Sequence, residues 1–171
     1  MNTFKPLVII IVALVLVLGA LYFYKSKGLE QAPGSGQKEE SMGKRAEGFS
    51  GELLAGQQSP LLDFVKADYD KAIVSDKLVI LYFYANWCPI CRAEFPIMKE
   101  VFDSLPTDKA IAFRVNFNDN QTDKDEENLA REFGIAYQHT KVFLKGGQRI
   151  LKSPETWSKD HYIQEVNNYL K

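Results

Sequence analysis

The sequence predicts an α/β domain, a central mixed β-sheet flanked by helices, carried behind an N-terminal transmembrane helix. Three observations point there: an uncharged apolar run near the start, helical and strand-like periodicities that alternate after Pro60, and an apolar block, Leu78–Ala85, with no polar face. At 171 residues, 46% apolar and 25% charged, the chain has room for one domain of roughly 100 to 150 residues with a short appendage. Such a domain buries a core without disulfide staples.

The first segment reads as a membrane anchor, residues 1–27. Leu7 to Tyr24 are 18 residues without a charge, which at about 1.5 Å each reach about 27 Å, enough to cross a hydrocarbon core of about 30 Å. A cleaved secretory signal has a shorter apolar part of about 7 to 15 residues and a small-residue cleavage site. Here Tyr22, Phe23 and Tyr24 stand in place of small residues. Lys5 precedes the run and Lys25 and Lys27 follow it, so the positive-inside rule gives almost a tie for orientation. The formal net charge is −1, and without those three lysines the remainder carries −4. A mildly acidic domain makes a poor nucleic-acid partner.

Residues 28–50 are rich in Gly, Ser, Glu and Lys and poor in large apolar groups, which predicts a flexible linker. The folded domain is expected over 51–171. Leu61, Leu62, Phe64, Val65, Tyr69, Ala72, Ile73 and Val74 recur at helical spacing, so a first helix is expected from about Leu61. Leu78–Ala85 then suits a strand buried on both faces. A second helix is expected from Cys88 to about Leu105, with Phe95, Met98, Val101, Phe102 and Leu105 inward and Pro96 within it.

Ala110 to Asn116 reads as the next strand. Thr122 can cap a third helix that Gly134 stops. Lys141–Lys145 and Arg149–Lys152, joined by Gly146 and Gly147, form a hairpin. The last helix starts near Ser158 and places Tyr162, Ile163, Val166, Tyr169 and Leu170 on one face. The expected order is α, β, α, β, α, β, β, α.

The only two cysteines, Cys88 and Cys91, sit two residues apart where a buried strand meets a helix. Unpaired N–H groups and the positive end of the helix dipole there favour a Cys88 thiolate, lowering its pKa from about 8.5. Cys88 is the expected nucleophile towards a disulfide and Cys91, one turn further in, the resolving thiol. A purely structural disulfide closing so short a loop would contribute only about 2 kcal/mol. A four-ligand zinc site lacks the paired cysteine spacing it needs, since His139 and His161 are distant in sequence.

The segment ILYFYANWCPICRAEFP resembles the active-site region of thioredoxin-like proteins, and its tail CRAEFP is similar to the membrane-anchored TlpA and ResA group of extracytoplasmic thiol-disulfide oxidoreductases. The resemblance covers roughly residues 60–171. It implies a thioredoxin-like fold, a redox-active disulfide between Cys88 and Cys91, and substrate contacts at Trp87, His139 and Thr140. Glu94 matches the active-site glutamate of the ResA-like group, one helical turn after Cys91, where it would accept the Cys91 proton; a solvated helix residue is the alternative. Two departures stand out. Tyr82 occupies the place of the family's buried aspartate, and His139, followed by Thr140, occupies that of its cis-proline, with no proline between Pro106 and Pro154.

These readings converge on an enzyme that reduces or exchanges disulfides in extracytoplasmic proteins, single-pass in the cell membrane. It needs no cofactor, no resident metal and no nucleic acid; its partners are protein dithiols and disulfides. Placing the domain outside the cytoplasm follows from where disulfides form. Two other readings stay open. One is a metal-binding or metal-delivery protein using Cys88, Cys91 and His139, suited to Cu(I) or an iron-sulfur centre. The other is a thioredoxin-like binding module without catalysis.

Overall fold

The computed structural model describes residues 46–171. The apolar run 7–24, and with it the expected anchor and most of the expected linker, lies outside the described residues. Among the described residues no helix is long and apolar enough to cross a membrane.

Six strands form one mixed sheet: β1 (Leu53–Ala55), β2 (Leu61–Asp63), β3 (Leu78–Tyr84), β4 (Ala110–Asn116), β5 (Thr140–Lys145) and β6 (Gln148–Ser153), in the spatial order β1-β2-β4-β3-β5-β6. Helices α1 (Lys66–Ile73), α2 (Pro89–Ser104), α3 (Lys124–Glu132) and α4 (Lys159–Tyr169) alternate with them. β4 runs parallel to β2 and β3, whereas β5 is antiparallel to β3 and β6. The central sheet and flanking helices expected from the sequence are present.

β3 has the centre, between β4 and β5, and its lack of a polar face has a direct cause. Ile80 and Tyr82 join a core with Phe95, Met98 and Phe102 of α2 and with Tyr162 and Val166 of α4. Val79, Leu81 and Phe83 join the opposite core with Tyr69 and Ala72 of α1 and with Leu129 and Ala130 of α3. Successive side chains of a strand point to opposite faces, so a strand covered on both sides must be apolar throughout.

The start of the domain corrects the sequence reading. Leu61 and Leu62, expected to open a helix, belong to β2, and α1 begins only at Lys66 after an extended Val65 (φ −134°). Both leucines are sealed from solvent because β2 lies inside the sheet between β1 and β4 and points Leu61 into one core and Leu62 into the other. A strand of three residues is too short to display alternation, and its apolar pair merges in sequence with the helical stripe that follows. β1 escaped for the same reason. Ordered packing also begins upstream of Gly51: Ala46 and Phe49 lie against the second core. Asp68 accepts hydrogen bonds from Ser50 N (2.9 Å), Ser50 Oγ (3.1 Å) and Gly51 N (2.7 Å), and Lys71 Nζ donates to Gly48 O.

The third helix is capped by Asp123, one residue after the expected Thr122. Asp123 accepts from Glu126 N (2.9 Å) while Glu126 Oε2 accepts from Asp123 N (2.9 Å), a reciprocal capping box. Gly134 follows that helix at φ +59°, where its missing Cβ removes the steric penalty. Ser158 caps α4 through His161 N, as its position suggested.

Candidate active site

β3 ends at Tyr84, and the chain reaches Cys88 with its N–H donating to Ala85 O at 3.1 Å. Cys88 is the N-cap of α2, with Pro89 in the first turn where no N–H is needed. The Cys88 side chain takes the place of a capping hydroxyl: its Sγ accepts from Cys91 N at 3.2 Å. That contact places the sulfur among the unpaired donors of a 16-residue helix, where a thiolate is stabilised.

The two thiols are not separated by exposure, at 1% for Cys88 and 0% for Cys91. They differ in environment. Burial pushes the Cys91 thiol up, to about 12, reinforced by its hydrogen bond with Cys88, while the backbone at Ala85 and His139 pulls it partly back. Cys91 therefore needs a proton acceptor to work as a nucleophile near neutrality.

Glu94 is buried, with 1% exposure, which removes the solvated-residue alternative. Its Oε1 accepts from Lys141 Nζ (2.7 Å), Trp157 N (2.9 Å) and Tyr162 Oη (3.0 Å), and its Oε2 accepts from Tyr82 Oη (3.1 Å). Lys141 is sealed as well and also donates to Glu155 O. Its ammonium is ringed by aromatics, 5.0 Å from the Trp157 ring centre and 5.8 Å from those of Tyr82 and Tyr162. Burial lowers the Lys141 pKa, with Glu94 and then Cys91 opposing. Burial likewise raises both tyrosines, helped by the charges of Glu94 and Cys91. The buried ionic cluster is thus within electrostatic reach of the resolving thiol.

Sequence reasoning missed Lys141. Its sequence signal is misleading: Lys141, Phe143 and Lys145 alternate along β5 and read as its polar side, whereas Lys141 is sealed from solvent, and a buried lysine requires an acid. β5 pairs with β3 so that Lys141 stands directly across from Tyr82, the residue in the position that the resemblance assigns to an aspartate. The acid arrives from the helix and the cation from the strand.

His139 precedes β5 in the left-handed region, φ 57°, and its N–H donates to Phe83 O at 2.6 Å. This bond brings the ring to the cysteines. One ligand atom each from Cys88, Cys91 and His139 all lie within 4.8 Å of one another. Burial, followed by the Lys141 charge, lowers the His139 pKa, whereas Glu94 and the Pro154 backbone oppose the shift. Thr140 is turned inward, its Oγ1 donating to Tyr137 O at 2.7 Å. Trp87 stays half-exposed, with Nε1 donating to Asn118 O at 2.9 Å. Ile90 and Tyr137 are also exposed; Trp87 directly precedes Cys88 and Ile90 lies between the two cysteines, so exposed apolar residues stand on either side of Cys88 in the chain.

The thioredoxin family model matches residues 60–168. The chain belongs to the thioredoxin family. It is 36% identical over 83 residues to thioredoxin H4 of Arabidopsis thaliana, covering 48% of this chain and 64% of that protein. It therefore spans less than two thirds of that relative's length. The thioredoxin-like protein YneN of Bacillus subtilis is 29% identical over 133 residues, 73% of this chain and 70% of the relative. In three dimensions the domain is similar to Trxlp from Edwardsiella tarda EIB202, with a TM-score of 0.53 at 23% identity over 62% of this chain and 97% of the other.

Proposed function

We propose that this thioredoxin-family chain is a membrane-anchored thiol-disulfide oxidoreductase that reduces or exchanges disulfides in extracytoplasmic proteins. The observation that carries the reading is Cys88 as the sulfur cap of α2, accepting from Cys91 N at 3.2 Å, in a domain of this family. The Cys88 thiolate attacks one sulfur of a substrate disulfide; a mixed disulfide forms and one substrate thiolate leaves. Cys91 loses its proton and attacks Cys88 Sγ, releasing the second substrate thiolate and closing the Cys88–Cys91 disulfide. Two electrons pass to the substrate. Glu94 receives the Cys91 proton, and Lys141, held to Glu94 at 2.7 Å, compensates the charge on whichever of the two is ionised. The reverse sequence oxidises a dithiol.

Exposed Trp87, Ile90 and Tyr137 supply an apolar contact for polypeptide, and the β5 backbone begins at Thr140, shortly after Tyr137. The uncharged run 7–24 supports the anchor, and the extracytoplasmic placement rests on the compartments in which disulfides persist. The test is a Cys91→Ser variant of the full chain, which stalls at the mixed disulfide. Capture of protein partners that dithiothreitol releases, and that Cys88→Ser does not capture, is the expected result. Absence of any such adduct together with no turnover of a model disulfide by the wild type would leave a binding module without catalysis.

A further inference from the structure

We propose that the reduced Cys88–Cys91 pair and His139 form a binding site for a single Cu(I) ion. The geometry is prepared: the three ligand atoms lie within 4.8 Å of one another. Metal–sulfur bonds of about 2.3 Å and a metal–nitrogen bond of about 2.0 Å set donor-to-donor edges near 4 Å. The cluster closes around an ion by moving each edge about 1 Å or less.

A second observation is independent of the sulfurs. His139 Nδ1 is shut off from solvent and has no hydrogen-bond partner. Buried polar atoms are nearly always satisfied, and one that is not requires an account. A metal ion held by this imidazole and the two thiols supplies such an account. The backbone fixes the imidazole there, since the left-handed φ of 57° at His139 and the 2.6 Å bond from its N–H to Phe83 O set where the ring enters.

The donor set selects the ion. Two thiolates and an imidazole are soft to borderline ligands, suited to Cu(I), zinc or iron-sulfur chemistry. Among the described residues no fourth His, Cys, Asp or Glu joins the group, and structural zinc takes four protein ligands. The chain has only two cysteines, whereas an iron-sulfur cluster takes four protein ligands. Cu(I) is satisfied by three. Binding makes two Cu–S bonds and one Cu–N bond, releases the thiol protons to solvent and moves no electron. Passing two electrons to a substrate disulfide closes the Cys88–Cys91 bond, removes both thiolates and expels the ion, so the redox state of the pair decides occupancy.

The experiment titrates the reduced full chain with Cu(I) under anaerobic conditions against bicinchoninate as competitor, comparing wild type, Cys88→Ser and His139→Asn. Asparagine tolerates the left-handed φ but lacks the ring. One ion per chain, with binding abolished in Cys88→Ser and weakened at least about tenfold in His139→Asn, is expected. X-ray absorption of the copper-loaded wild type should show two sulfurs and one nitrogen. Unchanged affinity in His139→Asn, a copper shell lacking nitrogen, or zinc that Cu(I) cannot displace would each overturn the assignment. Disulfide reduction by the same wild-type sample is read separately, so loss of the copper site and loss of the redox reading remain distinguishable.

Discussion

Lys141 Nζ lies 2.7 Å from Glu94 Oε1, and neither side chain has solvent exposure. An ion pair in that setting is costly to break from one side, because the remaining charge stays buried without compensation. Lys141→Met should cost about 3 to 5 kcal/mol, measured by urea unfolding. Adding Glu94→Gln to that variant removes the stranded carboxylate and should recover a large part of the loss. A double variant as unstable as the sum of the single ones would show that the two residues do not act as a pair.

The unequal surroundings of the two thiols predict unequal reactivity. With Cys91 pushed up to about 12 by burial and Cys88 at the helix end, iodoacetamide at neutral pH should modify Cys88 first. Mass spectrometry of partially alkylated protein reads the order directly. Equal modification would remove the distinction between nucleophile and resolving thiol.

Tyr82→Phe offers a gentler probe of the cluster than any change to Glu94. It removes one donor, the 3.1 Å bond to Glu94 Oε2, and leaves the ion pair in place. Stability should fall by about 1 kcal/mol, and the pH dependence of the resolving step should shift because the environment of the proton acceptor changes. A pH profile superimposable on the wild type would separate Glu94 from proton transfer.

Glu126 gives the fold a pH dependence near neutrality. Burial raises its carboxyl from 4.5 to about 7, partly opposed by bonds from the Asp123 and Asn116 backbone. A carboxyl raised in the folded state favours the protonated form, so its stabilisation is complete below pH 4.5 and is lost as pH rises through 7. The effect is of order 3 kcal/mol. Urea midpoints should decline across that window, and in Glu126→Gln the decline should flatten, whatever constant offset the altered cap introduces.

His139→Pro should destabilise the domain rather than restore the family's residue. Proline fixes φ near −65°, against 57° at His139, and it removes the N–H that donates to Phe83 O. Thermal unfolding should show a clear loss, where His139→Asn shows little. A proline variant as stable as wild type would mean that this loop can rearrange.

If the run 7–24 spans the bilayer, the native chain should stay with membranes through carbonate washing. A soluble chain shortened to a start near Lys25 would replace the anchor with a cleaved signal.

The long elements were legible because their patterns repeat. The seven residues of β4 and the stripe of α2, with Phe95, Met98, Val101 and Phe102 buried, follow the expected periods. β1 and β2, at three residues each, owe their existence to pairing with neighbours, which a single segment cannot display. The cysteine pair announced itself by spacing and position. The support for Glu94 did not, since Tyr82, Lys141, Trp157 and Tyr162 reach it across up to 68 positions of chain. Lys141 carried no local clue, since it shares an alternating face of β5 with Lys145 and reads there as an outward cation. The left-handed backbone at His139 had no signal either, as the residue type does not demand it.

Asp68 grips Ser50 and Gly51, and Lys71 reaches back to Gly48. For a domain moored by its N-terminal end, this grip receives any pull before the sheet does, because it lies between residue 46 and β1. It acts as a strain relief, as a clamp on a cable spares the solder joint behind it. Stretching the chain in an optical trap should part this clasp in a small early step, with the sheet yielding later at higher force. In Asp68→Ala the early step should vanish, and edge strand β1 should become the first element to peel.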